Sequence, residues 1–399
     1  MLRVGTLAGH VERESSFVAE VHGTSGLELV IRCVDRVEAL AAIRSRSVDV
    51  LVAVGVPEWF DFQAVEEARM EDVALLALAG DPIEVERLEV AGFRVLPSID
   101  ELHELPELLE RDAAGARDAS VGGAGSGKLV AVWGAKGAPG RTTLAIELAS
   151  ALSGTDASTV LIDADLYGGD VVQRLGITED LPGVVQLVRE VARGEGRDPD
   201  WSSRLRRVWK GGPKLVPGLV RAELWDEVSP FGWRELVKVV RRDFDHAMCD
   251  VGFCLEGRSA ALEDGPARNE IARLTLTEAD QIVAVVRADP IGIKSFVWAV
   301  REHQEFFGND DVLIVANGVR RGEEAETRRL IRRYAGRHVF AAIPDLPGQF
   351  ARSVWAGVPL TVSEPAGVVA EEARRVAAAL GGRVESNGLF SRLVNRRSG

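Results

Sequence analysis

Apolar residues fall in two alternating kinds of run along this chain. One kind is a short β-branched stretch, which reads as a buried strand; the other repeats every three to four residues, which reads as a helix. Over residues 1–111 the strand-like runs are Arg3–Leu7, Leu27–Ile31, Val48–Val54, Val73–Leu78 and Arg94–Leu96, with helical stretches near Val37–Arg44 and Ile83–Ala91 between them. The alternation predicts a five-stranded α/β unit with a parallel sheet. Residues 112–127 are small, glycine-rich and without apolar period, as expected of a flexible linker.

The alternation resumes over 128–382. Lys128–Trp133, Thr159–Ile162, Phe244–Asp250, Gln281–Val286 and Val312–Asn317 are predicted strands, and Thr142–Leu152 a predicted helix. Residues 194–230 follow neither period, although Pro213–Gly218 reads as a strand with turns. Trp201, Trp209 and Trp225 stand there among charged residues and are expected to be core or interface anchors. In the last segment, 383–399, Leu389, Phe390, Leu393 and Val394 share one helical face, with Arg392, Arg396 and Arg397 elsewhere on it.

Between the strand at 128–133 and the helix at 142–152 runs Ala135-Lys136-Gly137-Ala138-Pro139-Gly140-Arg141-Thr142-Thr143. Glycines let backbone N–H groups approach a ligand closely, and a helix N-terminus favours negative charge, so a phosphate is the natural occupant. Against the general phosphate-loop pattern G-x-x-x-x-G-K-[ST], Gly140 and Thr142 match, Ala135 replaces the first glycine and Arg141 replaces the lysine. The stretch resembles the deviant Walker A loop of the MinD/ParA ATPases, K-G-G-x-G-K-T-T. Lys136 stands at that family's signature lysine, and Ala138 departs from its glycine by one methyl group. Lysine occurs at only six positions, against 42 arginines, so its presence there is informative.

What the resemblance implies extends over about 230 residues. It gives a P-loop ATPase domain at 128–382 that binds ATP with Mg²⁺, through Gly137, Ala138, Pro139, Gly140, Arg141, Thr142 and Thr143. Thr142 would bind the Mg²⁺, and Lys136 would reach across a homodimer to the partner's phosphates. Asp163-Ala-Asp165 corresponds to the family's switch I, where Asp163 or Asp165 orients the attacking water; two carboxylates at i and i+2 on a strand would both face the phosphates. Asp250 matches the Walker B aspartate, which holds a water on Mg²⁺. Asn317 falls where the family has an adenine-contacting asparagine, or else is a turn former. Ala342–Asp345 and Ala356–Leu360 resemble the family's I-P-x-D…G-x-P-L segment, which makes Asp345 a nucleotide-edge candidate.

Residues 1–111 resemble the receiver domain of two-component signalling without its chemistry. The third strand ends Val54-Gly55-Val56 and the first Leu7-Ala8-Gly9, where acidic residues would hold Mg²⁺, and Leu96-Pro97 stands where a receiver has its lysine. Asp49 and Asp61 read as a strand-start and a loop residue. The expectation is a pseudo-receiver that binds a partner without being phosphorylated.

Charge and composition narrow the function classes. A formal charge of −13 argues against a general nucleic-acid coat protein. No signal-peptide-like start and no apolar run near the roughly 18 residues of a membrane span is present, so a cytoplasmic protein is expected. Cys33, Cys249 and Cys254 are scattered, as in a reducing compartment.

Receiver-like unit, linker and MinD-like domain together resemble the CpaE/TadZ proteins of pilus assembly. The resemblance implies an ATP-controlled, dimerising positioning protein for a pilus, secretion or division apparatus. Arg141 in place of lysine implies slow or absent hydrolysis, because guanidinium is planar, bulkier and wants a forked partner. The tail resembles the membrane-targeting helix of MinD, or docks on its own domain. The alternative is a ParA-like partitioning ATPase binding DNA through Arg328, Arg329, Arg332, Arg333 and Arg337, although Glu323, Glu324 and Glu326 nearby suggest a salt-bridged face instead.

Overall fold

In the computed structural model, residues 1–8, 11–54, 73–78, 94–96, 127–155, 157–257, 268–307 and 312–381 are described, with isolated positions 68, 71, 99, 102 and 105 between. The helix expected at 83–91, Asp61, the end of the third strand at 55–56, the linker before Gly127 and the tail at 383–399 lie outside the described residues.

The first part runs β1 (Leu2–Ala8), α1 (Val11–Gly23), β2 (Leu27–Cys33), α2 (Arg36–Arg44), β3 (Val50–Val54), β4 (Ala74–Leu78) and β5 (Arg94–Leu96). Its sheet is parallel with order β2-β1-β3-β4-β5. Strand β3 is buried throughout, as a central parallel strand covered on both faces must be. Asp35 caps α2 by accepting from the Glu38 N–H. Asp49, just before the third strand, makes an ion pair with Arg3 at 2.6 Å, which gives this carboxylate a structural partner.

The second part has β6 (Lys128–Trp133), α3 (Arg141–Ser153), β7 (Thr159–Ala164), α4 (Val184–Ala192), β8 (Lys214–Val216), α5 (Pro230–Asp243) and β9 (His246–Val251). It continues with α6 (Glu270–Glu278), β10 (Gln281–Arg287), α7 (Pro290–Glu302), β11 (Val312–Val319), α8 (Glu324–Ala335), β12 (Val339–Pro344), α9 (Pro347–Ala356) and α10 (Val368–Ala379). These seven strands form one parallel sheet, order β12-β11-β10-β6-β9-β7-β8. Side chains alternate across it: Leu129, Ala131 and Trp133 of β6 join one core with α4–α7, and Val130 and Val132 join another with α3 and α10. Trp201 is fully buried in the first core, and Trp209 and Trp225 pack partly buried against the two.

Strand order is what assembles the site. Strand β9 lies between β6 and β7, and β10 to β12 extend from the other side of β6. The chain therefore reverses its direction of growth at β6, and ligand crevices open at the carboxyl ends of strands at such a reversal. Register sets Asp250 of β9 opposite both Val132 of β6 and Asp163 of β7.

A candidate nucleotide site at the end of the central strand

From β6 the chain enters a bend held in left-handed backbone: Gly137 at φ 106°, Ala138 at φ 50° and Gly140 at φ 94°. Nothing lies within 4 Å of where a Gly137 side chain would project, so that face of the bend is open. Gly140 is required for a different reason, since a Cβ there would meet Asn317 Nδ2 at 2.3 Å. Helix α3 starts at Arg141 with no side chain capping it. Its first-turn N–H groups are thus free for an anion.

Asn317 departs from its expected place. Strand β11 continues two residues past it, to Val319, and its side-chain amide donates to the Pro139 carbonyl at 2.7 Å. It braces the bend from β11, one strand beyond the β10 that pairs with β6. Asp345 is exposed just after β12, its N–H bonded to the Val319 carbonyl at 2.9 Å; among the described residues no contact joins it to the bend.

The three candidate carboxylates converge, but with different surroundings. Asp250 is wholly buried. Thr142 turns its hydroxyl toward it, yet neither carboxylate oxygen has a well-formed hydrogen bond. Burial pushes the Asp250 carboxyl up to about 7, against the pull of the Thr142 hydroxyl and the Arg141 charge. A buried acceptor left without partners costs about 1–3 kcal/mol, and here it stands at the foot of an anion loop. A threonine hydroxyl and an orphaned carboxylate beside free N–H groups form a donor set suited to a hydrated Mg²⁺ on a phosphate.

Asp163 and Asp165 do not face one way as expected. Strand β7 ends at Ala164, so Asp165 has already left the extended chain on which the i, i+2 relation depends. Asp163 turns inward and accepts from the Asp165 and Val171 N–H groups, each at 3.3 Å. Modest Cβ atoms at Gly169 or Gly218 would lie 2.0 Å and 2.7 Å from this carboxyl, which is therefore gripped between two glycines. Burial, and the charge of Asp250, hold the Asp163 carboxyl well above the usual range.

Asp165 instead takes Arg141. Arg141 Nη2 reaches Asp165 Oδ2 at 3.2 Å and Nη1 donates to the Gly134 carbonyl at 3.0 Å. Both side chains are largely buried, at 13% and 11% exposure, and the guanidinium also stands 5.8 Å from the Phe253 ring centre. The forked geometry foreseen for an arginine is met, by a carboxylate and a carbonyl of the protein itself. Lys136 is exposed at the opposite end of the bend and has no ion-pair partner among the described residues.

Three participants were not singled out from sequence. Arg174 donates to the Thr143 hydroxyl at 3.2 Å. Phe253 accepts from the Trp133 indole at its carbonyl, at 3.2 Å. Glu147, buried in α3, accepts from the N–H groups of Leu360 and Thr361 at 2.7 and 2.8 Å, which ties the Gly-Val-Pro-Leu segment to the helix behind the bend. A lone glutamate within an otherwise apolar helix run was the available signal.

A doubly wound parallel sheet with a glycine-bearing bend leaving its central strand is the architecture of P-loop folds. The structural neighbours are P-loop ATPases of the MinD/ParA family. A ParA family ATPase from Chlorobium tepidum TLS has a TM-score of 0.53 at 17% identity, covering 63% of this chain and 98% of that one. The cell division ATPase MinD of Pyrococcus furiosus gives 0.50 at 15% identity, over 64% and 98%. McdA of Cyanothece, in a complex with ATP, gives 0.50 at 18% identity, over 66% and 100%. At such identities the likeness is one of fold. In sequence, 83 residues are 31% identical to an iron-sulfur cluster carrier protein of Synechocystis, covering 21% of this chain and 22% of that protein. The chain thus spans about a fifth of the curated relative's length. No protein-family model matches the chain.

Proposed function

We propose that this chain is an ATP-binding, dimerising positioning protein of the MinD and CpaE/TadZ kind, with slow or absent hydrolysis. The observation that carries the reading is the pairing of two features at one helix start. Thr142 and the orphaned Asp250 stand ready for Mg²⁺ beside free N–H groups, while Arg141 is committed to Asp165 and Gly134. The first supports binding of ATP with Mg²⁺, which when bound would neutralise phosphate charge. The second removes a cation from the transferring phosphate and occupies the carboxylate best placed to orient water. Loss of one well-placed stabilising donor costs roughly 10²–10³ in rate.

Residues 1–111 serve in this reading as a pseudo-receiver that selects the partner, a pilus, secretion or division component. The order β2-β1-β3-β4-β5 supports it, being the order used by flavodoxin-like signalling domains. Residues 112–127 are the linker, and the amphipathic tail at 383–399 makes a peripheral contact at the inner face of the membrane. No described helix is long and apolar enough to cross a membrane. The DNA-partitioning alternative draws less support, because Arg328 and Arg329 are engaged by Glu324 and Glu326.

Calorimetry with Mg²⁺ and ATP or ADP tests binding, and phosphate release tests turnover. Heat of association with little phosphate release is expected. Absence of any heat overturns the nucleotide reading, and robust Mg²⁺-dependent release overturns the slow-hydrolysis part alone. A DNA shift assay that shows binding weakening steeply with salt would favour the partitioning alternative.

A further inference from the structure

Helix α7 buries Ile293, Phe296, Val297 and Val300 against the sheet. Its outward side is not an ordinary solvated face. Ile291 is 76% and Trp298 66% exposed, and together with Lys294 and Glu302 they recur every three to four residues, which puts all four on one stripe. Neither Lys294 nor Glu302 has an ion-pair partner among the described residues. The stripe borders a cleft of about 380 Å³ whose far wall includes Lys136, Phe253 and Glu256. An exposed tryptophan and an unpaired charge couple therefore share a rim with the nucleotide bend.

We propose that this stripe pairs with itself: in the ATP-bound dimer, α7 lies antiparallel to α7 of a second copy, with the two Trp298 side chains meeting at the twofold axis. Spacing selects this occupant. Lys294 precedes Trp298 by four residues and Glu302 follows it by four. An axis through Trp298 therefore sets each lysine opposite the partner's Glu302, at both ends of the contact. A twofold interface must be self-complementary, and a stripe with one charge of each sign placed evenly about an aromatic centre satisfies that condition. Tryptophan at such a centre is a favoured anchor, since it buries a large surface with little rotamer entropy.

One helix pair of this length covers less than the roughly 1,200 Å² of a stable interface. The stripe is then insufficient alone and needs the neighbouring bend, with Lys136, to engage as well. ATP controls association because it completes the second half of one continuous surface. This inference rests on the nucleotide-binding reading, and its test separates the two.

The full chain, with Mg²⁺ and ATP, is followed by sedimentation velocity and by calorimetry in wild-type, W298A, K294E, E302K and K294E/E302K forms. All these side chains are exposed, so ATP affinity reports that each variant is folded. W298A and either single charge reversal should weaken dimerisation about tenfold or more, with ATP affinity unchanged when calorimetry is run dilute enough that every form is monomeric. The double reversal restores self-complementarity and should return dimerisation to near the wild-type value. Single variants that dimerise like wild type, or a double variant no better than the singles, overturn the pairing while the nucleotide reading stands. A wild-type chain that binds ATP and stays monomeric overturns it equally. Failure of ATP to bind overturns the nucleotide reading and this inference with it, and only that failure appears in the calorimetry.

Discussion

Arg141 and Asp165, 24 residues apart, meet at 3.2 Å in a nearly closed setting, so the bend's cation and the carboxylate just past β7 neutralise each other. The pair couples the start of α3 to the segment after β7. It also commits both groups at once, since each has the other as its charged partner.

The R141K variant should therefore turn over ATP faster than wild type, by about tenfold or more. Lysine cannot fork between Gly134 and Asp165, and its compact charge is suited to a phosphate. Steady-state phosphate release checks this. An unchanged rate would place the block on hydrolysis elsewhere.

Lys136 is exposed at the far end of the bend and has no ion-pair partner among the described residues. K136A should keep ATP binding and lose ATP-dependent dimerisation, read by light scattering on a sizing column. Undiminished dimerisation counts against the lysine's crossing to a partner.

Asp250 implies a pH dependence of the nucleotide-free protein. Its carboxyl rises to about 7 on folding because it is buried, from an unfolded value near about 3.9. Between these values the folded chain holds a proton that the unfolded chain has released, so stability falls as pH rises across that window and levels above it. D250N removes the effect: it should melt higher than wild type at pH 8, with the gap closing toward pH 4–5, and should lose Mg²⁺-dependent nucleotide binding. Parallel melting curves over the whole range would show that Asp250 does not titrate this way.

Ala138 sits at φ 50°, a left-handed conformation that a branched side chain resists strongly. A138V should cost about 1–3 kcal/mol in chemical denaturation. A138G should stay near wild type, since relief of strain is offset by a more flexible unfolded chain. Equal midpoints for A138V and wild type would exclude the left-handed bend.

Much of this was legible in the chain itself. The strands around β6 follow from uninterrupted apolar runs, because a parallel sheet covered on both faces leaves no polar alternation to misread. The bend itself was legible through Gly137 and Gly140, which sit in left-handed backbone. Other features were not. The separation of Asp163 from Asp165 depends on where β7 stops, and strand ends are weakly encoded. The role of Asn317 depends on a bend 178 residues away. Glu147 stands out as the one carboxylate in an apolar helix run, but its partners are N–H groups that no side chain announces.

Those last two ties bear on how the chain matures. The bend is braced from residue 317 and its helix is anchored to residues 360 and 361, so its final shape awaits contacts with distant, late-synthesised segments. Such long closures slow folding and follow local structure. A chain still on the ribosome, or cut before residue 360, would own every letter of the phosphate motif and still lack a finished receptacle.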